Sequence, residues 1–101
     1  MKTSDFGLSK PAYEKLSKLL KSVEQFRSVK IFGSRALGTF KEGSDIDIAV
    51  YGNDINRHLI RKCKIDYENL NLPYQLDLIH YESIDNPELK RHIDEFGQDL
   101  L

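Results

Sequence analysis

Two aspartates separated by a single residue lie in the middle of the chain, where apolar and polar residues alternate as in a strand. Asp45 and Asp47 flank Ile46 in a strand that the sequence predicts over residues 45–51. Because side chains alternate between the two faces of a strand, both carboxylates are expected on the same face. At about 6 Å apart, two such charges repel by roughly 3 kcal/mol at an effective dielectric of 20. A bound divalent cation removes this repulsion, and Mg²⁺ prefers carboxylate oxygens together with waters and phosphates.

A third carboxylate stands in the next predicted strand, over residues 74–80. Asp77 lies there between Leu76 and Leu78, an unusual position for a charged residue. If this strand neighbours the strand over 45–51, Asp77 converges on the other two aspartates. Three acids on two strands are enough to bridge two metal ions ~3.5–4 Å apart, an arrangement suited to in-line phosphoryl displacement.

A glycine–serine pair directly follows a short apolar strand predicted over residues 28–32. Gly33 allows the backbone to approach a ligand closely, and the hydroxyl of Ser34 adds a donor. The start of the helical turn that follows offers backbone N–H groups and the positive end of a dipole to a phosphate. Taken alone, this pair is common in ordinary turns, and Thr39 stands where a Walker P-loop has its lysine.

Alternating helix and strand patterns are expected to position these residues. In chain order, they are a helix over about 10–24 capped by Ser9, strand 28–32, a helical turn at 35–37, strand 45–51, a helix from Asn53 or Asp54 to about Leu70, strand 74–80, and a helix that begins at Pro87 and ends at Gly97. Residues 1–8 are expected to form a loose arm. This order predicts one α/β domain over residues 1–101, with a small mixed β-sheet flanked by helices.

Composition excludes several classes of protein. The 101 residues include 15 Lys or Arg and 16 Asp or Glu, for a net charge of −1, which argues against strong nucleic-acid binding through bulk charge. No stretch approaches the ~18–20 apolar residues of a membrane span, and the first residues lack the apolar core of a signal peptide. We therefore expect a soluble, cytoplasmic protein without a membrane partner.

The cysteine and the histidines offer no site by their spacing. Cys63 is the one cysteine, which precludes an intramolecular disulfide and a cysteine-rich zinc site, and it is expected in the core. His58, His80 and His92 are spread through the chain without the spacing of metal ligands. They are expected to be structural or to face solvent.

The segment GSRALGTFKEGSDIDIAV resembles the signature of the DNA polymerase β-like nucleotidyltransferase superfamily. Its pattern is Gly-Ser, a fixed gap, Asp-x-Asp on a strand, and a third acid on a later strand. Within the superfamily, the chain is most similar to the small prokaryotic minimal nucleotidyltransferase (MNT) group. The resemblance covers most of the chain, from the opening helix to KRHIDEFGQDLL, and implies the polymerase β-like nucleotidyltransferase fold.

The resemblance also implies a reaction and a role for each site residue. Asp45 and Asp47 would bind two Mg²⁺ ions, and Asp77 would complete one metal site and help to deprotonate the acceptor hydroxyl. Gly33 and Ser34 would hold the triphosphate. The enzyme would transfer a nucleoside monophosphate, with AMP from ATP expected, to a hydroxyl and release pyrophosphate. The protein contributes mainly positioning and charge neutralisation.

One position departs from the pattern of the superfamily. Leu37 stands where members often carry an arginine, so one cationic phosphate contact is missing. Arg35 and Lys41 are the remaining candidates for such a contact. Arg35 is retained as a nucleotide-binding candidate, although a structural ion pair accounts for an arginine at this position equally well.

The small group to which the chain is similar implies a helical partner protein. Its members resemble one half of a two-gene system, and some are antitoxins that AMPylate a HEPN-type ribonuclease toxin. One hypothesis is therefore an enzyme that adds a nucleoside monophosphate to its partner. The alternative is a non-catalytic antitoxin or binding subunit that acts by forming a complex. The sequence leaves open the base of the nucleotide, the acceptor and the oligomeric state.

Overall fold

The computed structural model describes residues 6–101. The helices are α1 (Lys10–Lys21), α2 (Gly33–Leu37), α3 (Arg57–Glu68) and α4 (Pro87–Phe96), with a 3₁₀ turn at Tyr81–Ser83. The strands are β1 (Ser28–Phe32), β2 (Ile46–Tyr51), β3 (Leu76–His80) and β4 (Gln98–Asp99). Within this part of the chain, every helix is too short or too polar to cross a membrane.

The four strands form one mixed sheet in the order β3-β2-β1-β4. Strand β1 runs antiparallel to both β2 and β4, whereas β2 and β3 run parallel and are connected through α3. The parallel pair places Ile46 opposite Leu76 and Asp47 opposite Asp77. The predicted fold class, a small mixed sheet flanked by helices, is confirmed.

The two faces of the sheet have different environments. Ile46, Ile48 and Val50 are fully buried against α1 and α3, in the larger of two hydrophobic clusters. Ala49, between them on the opposite face, packs with Ile93 of α4 in the smaller cluster. Because side chains alternate along a strand, Asp47 shares the α4 face with Ala49.

Element boundaries differ from the predicted ones at several ends. The first helix ends at Lys21 rather than near residue 24. Asn56, rather than Asn53 or Asp54, caps α3, because its side-chain oxygen accepts the N–H of Leu59 at 2.9 Å. All three asparagine and aspartate residues suit a helix N-cap, so residue type alone does not select among them.

Strand β4 was not expected from the sequence. Its two residues pair with β1, with Lys30 opposite Asp99, and both are exposed. A two-residue polar strand has no hydrophobic pattern to reveal it. The buried Leu100, whose N–H donates to the carbonyl of Val29, anchors this end of the chain to the sheet.

The expectation of a loose arm over residues 1–8 is wrong where the structure tests it. Residues 1–5 lie outside the described part of the chain. Phe6 and Leu8 are 7% and 2% exposed and belong to the larger cluster. Two large apolar side chains are stabilised by burial, and this outweighs the cost of ordering the backbone there.

Arg35 is a buried structural residue. Its side chain is 3% exposed; Nη1 donates to the carbonyl of Phe6 at 2.9 Å, and Nε and Nη2 donate to the carbonyl of Ser44 at 3.2 and 2.7 Å. The guanidinium also lies 5.1 Å and 4.8 Å from the ring centroids of Phe40 and Tyr74. Arg35 therefore joins three segments of the fold, and the expectation that it contacts the nucleotide is not met.

Replacing Arg35 with an apolar side chain of similar length is predicted to destabilise the fold. Arg35→Met removes three hydrogen bonds and leaves buried carbonyls without donors, so the free energy of unfolding falls by about 2–4 kcal/mol. Arg61→Met, at an exposed position of α3, is the control, with an expected change within about 0.5 kcal/mol. Urea unfolding measures both variants. Equal stability of the two would contradict the structural role of Arg35.

Candidate active site

The three aspartates lie where β2 and β3 begin. Asp47 lies in β2, directly opposite Asp77 in β3 and, on its other side, opposite Phe32 at the end of β1. Residues paired across neighbouring strands project from the same face, so the Asp47 and Asp77 side chains share the α4 face. Asp45 precedes β2 by one residue. The predicted pairing of the two acid-bearing strands is confirmed.

The acids differ in exposure, and this affects their charge. Asp45 and Asp77 are exposed, whereas Asp47 is half-buried. Burial raises the pKa of Asp47 above 3.8, and repulsion from Asp77 and Asp45 raises it further, while the positive charge of Arg35 acts in the opposite direction. The folded chain therefore takes up a proton at Asp47 more readily than the unfolded chain. Ionised Asp47 lowers the free energy of unfolding at neutral pH, and this cost disappears as the pH falls through the raised pKa.

The aspartates fit a divalent cation by their chemistry and strand register. Oxygen ligands of like charge on one face are the set that such a cation favours. Within residues 6–101, however, no three His, Cys, Asp or Glu side chains are gathered closely enough to hold a metal ion. The backbone thus places the ligands side by side, but their carboxylates do not surround a common point.

Gly33 lies against Asp47 at the turn from β1 into α2. Its φ of +74° falls in the left-handed region that favours glycine. A Cβ at this position would overlap Oδ2 of Asp47. The structure therefore brings together two parts of the predicted motif, with glycine providing the room that the carboxylate occupies. Ser34 follows at a half-buried position in α2.

The amide of Gly33 is not available to a phosphate in this structure. It donates a hydrogen bond to Nε2 of His92, in α4, at 3.0 Å. The expectation that Gly33 presents a free N–H is therefore wrong, and α2, with five residues, is too short for a strong dipole. Sequence reasoning missed His92 because 59 residues separate it from Gly33, and no local pattern links the two.

Asp45 and Asp77 are exposed, so the acids lie on a surface that solvent reaches. Cavities of about 630, 700 and 460 Å³ occur elsewhere, beside the two ends of α3 and beside α1. None of the three is lined by the aspartates or by the Gly33-Ser34 turn. A second reactant can therefore approach the acids from solvent.

Comparison with known families identifies the arrangement. Residues 14–101 match the family described as "Polymerase beta, Nucleotidyltransferase". The chain belongs to this nucleotidyltransferase family. The match includes the Gly-Ser turn and all three aspartates, and it confirms the predicted superfamily and nucleotidyltransferase activity.

Two curated relatives are more than a third identical to the chain over the matched residues. Both come from Methanocaldococcus jannaschii and carry the name protein adenylyltransferase. One is 36% and the other 38% identical over 88 residues, and each match covers 85% of this chain and 88% of the relative.

Solved structures show the same fold. A chain of a toxin–antitoxin complex with AMP-PNP matches with a TM-score of 0.73 and 25% identity, over 88% of this chain and 72% of that one. A chain from a Shewanella oneidensis complex of tri-AMPylated HEPN toxin with MNT antitoxin matches with a TM-score of 0.69 and 21% identity, over 93% and 72%. The polymerase β-like fold and the resemblance to the MNT group are confirmed.

Adding a methyl group at Gly33 is predicted to displace the Asp47 carboxylate. In Gly33→Ala the new Cβ overlaps Oδ2, so the carboxylate rotates away and its NMR resonance shifts. Gly43→Ala is a matched control, because Gly43 also has a positive φ, +85°, but nothing lies within 4 Å of its Cβ position. Both variants lose about 1–2 kcal/mol of stability from the left-handed backbone.

The carbon-13 resonance of the Asp47 carboxyl group, recorded in both variants, separates the two effects. We expect a shift in Gly33→Ala and an unchanged resonance in Gly43→Ala. An unchanged resonance in Gly33→Ala would show that the glycine is not needed for the position of Asp47.

Proposed function

We propose that the chain transfers AMP from ATP to a hydroxyl group of a helical partner protein, in a reaction that requires Mg²⁺. The observation that carries this proposal is the pairing of Asp47 with Asp77 on neighbouring parallel strands, with the Gly33 turn packed against Asp47. Two relatives named as protein adenylyltransferases support both the nucleotide and the class of acceptor.

Each aspartate has a stated role in the proposal. Asp45 and Asp47 would hold two Mg²⁺ ions, and Asp77 would complete one of the two sites. Bound divalent ions would neutralise the carboxylates and the triphosphate, and would offset the burial and the repulsion that raise the pKa of Asp47. Rotation of the three side chains would bring their carboxylates towards one another without a change in strand register. The hydroxyl of Ser34 donates a hydrogen bond to the triphosphate.

The chemical step is an in-line displacement at the α-phosphorus of ATP. The acceptor oxygen forms the new P–O bond while the bond from the α-phosphorus to the α–β bridging oxygen breaks, and pyrophosphate leaves with that electron pair. The carboxylate of Asp77, which is exposed, accepts the proton of the acceptor hydroxyl. AMP remains on the acceptor. The fixed strands contribute by holding acid and nucleotide in register.

The open surface around the acids supports a macromolecular acceptor. None of the three cavities described above is lined by the aspartates, and Asp45 and Asp77 are exposed. A folded protein that carries the acceptor hydroxyl can reach such a surface and help to orient that hydroxyl. The similarity to a chain from a toxin–antitoxin complex solved with AMP-PNP supports an adenine nucleotide and a protein partner.

The direct test is transfer of label from α-³²P-ATP to a candidate helical partner protein, such as one encoded beside this gene, with and without Mg²⁺. We expect labelling that requires Mg²⁺ and falls at least about 100-fold in Asp47→Asn, since the variant loses charge that stabilises the transition state. Asp54→Asn, at an exposed position outside the site, is the control and retains full labelling. Undiminished labelling by Asp47→Asn would contradict the proposal.

Complex formation in the same variants distinguishes catalysis from simple binding. Asp47→Asn and the double variant Asp45→Asn, Asp47→Asn are expected to co-elute with the partner but to leave it unlabelled. If the double variant still neutralises the partner as well as the wild type does, the chain acts by complex formation alone, as a non-catalytic antitoxin.

A further inference from the structure

His92 lies behind the Gly-Ser turn and holds it from the side of α4. Its Nε2 accepts the N–H of Gly33 at 3.0 Å. Because a backbone N–H only donates, Nε2 carries no hydrogen, and the imidazole is the neutral tautomer protonated at Nδ1. His92 is a partly buried residue, and the roles assigned to the aspartates do not use it.

The ring of His92 is fixed by two aromatic neighbours. The Phe32 ring meets it edge-on, with centroids 6.0 Å apart and an interplanar angle of 75°. The Phe96 ring, one helical turn further along α4, lies at 5.4 Å with an angle of 47°. Phe32 directly precedes Gly33, so the contacts and the hydrogen bond act on consecutive residues. Aromatic contacts of this kind favour particular orientations of the ring.

The helix that carries His92 is itself anchored to the sheet. Ile93 is fully buried and packs with Phe32 and Ala49 beneath α4. The position of the imidazole is therefore set by the core rather than by a loop. A rigid acceptor of this kind fixes the turn more closely than a flexible side chain would.

Gly33 connects His92 to the acids, because it contacts both His92 and Asp47. On one side its N–H is bonded to His92, and on the other its Cα faces Oδ2 of Asp47 so closely that no Cβ fits. Gly33 has a φ of +74°, and a glycine can adopt many other backbone conformations besides this one. The hydrogen bond from the Gly33 N–H to His92 favours one of these backbone conformations. That conformation sets the position of Ser34 relative to the carboxylates.

We propose that His92 is a positioning residue for nucleotide binding, which holds the Gly33-Ser34 turn through the Gly33 N–H so that Ser34 and Asp47 face the same triphosphate. This role rests on the proposed function. The imidazole does not touch the nucleotide and takes no proton in the reaction. It restricts the backbone conformations of the Gly33-Ser34 turn before the nucleotide binds. Nucleotide binding therefore costs less free energy for ordering this turn.

Two substitutions of His92 separate the effect of its hydrogen-bond acceptor from the effect of its aromatic ring. His92→Gln places an amide oxygen near the position of Nε2 and keeps the acceptor, whereas His92→Phe keeps an aromatic ring and removes it. His58→Phe is the matched control, because His58 is exposed on α3, away from the site. Calorimetric titration with AMP-PNP and Mg²⁺ measures affinity, and amide hydrogen exchange by NMR reports on the Gly33 N–H.

We expect His92→Phe to weaken AMP-PNP binding about five- to tenfold, the equivalent of one neutral hydrogen bond, and to accelerate exchange of the Gly33 amide. His92→Gln restores affinity to within about twofold of wild type, and His58→Phe matches wild type. Wild-type affinity in His92→Phe would overturn the inference, as would equal losses in the Gln and Phe variants. If the wild-type protein itself does not bind AMP-PNP, the proposed function fails, and a role for His92 in that function fails with it.

Discussion

The repulsion among three aspartates on one face of the sheet is the constraint on which the site depends. Parallel pairing of β2 with β3 places Asp47 directly opposite Asp77, on the same face of the sheet. Half-burial of Asp47 strengthens the effect, because water screens its charge less. The folded chain keeps this unfavourable repulsion between carboxylates, which a bound cation would relieve.

The rest of the fold supports this arrangement because the large apolar side chains and the acids of β2 lie on opposite faces of the sheet. Large aliphatic side chains of β2 pack against α1 and α3 on one face, and the acids occupy the other, beside α4. Arg35 and His92 lie behind the Gly-Ser turn on two different sides: Arg35 fixes the N-terminal segment and the loop before β2, and His92 fixes the turn itself. The turn that meets Asp47 is therefore held by residues outside the motif.

The placement of Asp47 opposite Asp77, with Asp45 close by in the chain, could be predicted from the sequence because strand alternation and strand pairing are governed by short, regular patterns. The convergence of the three carboxylates on one point stays a prediction. Asp45, Asp47 and Asp77 needed only a period of two and one assumed pairing. Arg35 and His92 could not be assigned in this way, because their partners lie 9 to 59 residues away. A polar residue in a helix has the same local pattern whether it faces solvent or a distant turn. The two-residue strand β4 could not be predicted for the same reason, since tertiary contacts alone define it.

Titration of the Asp47 carboxyl group by carbon-13 NMR tests the central claim most directly, in the wild-type protein and in Asp77→Asn. We predict a pKa above 3.8 in the wild type, a lower pKa in Asp77→Asn because one repelling charge is gone, and a lower pKa in the wild type when Mg²⁺ and AMP-PNP are bound. An Asp47 carboxyl group that titrates at its ordinary value in both proteins, and does not respond to Mg²⁺ with AMP-PNP, would contradict a shared cation site.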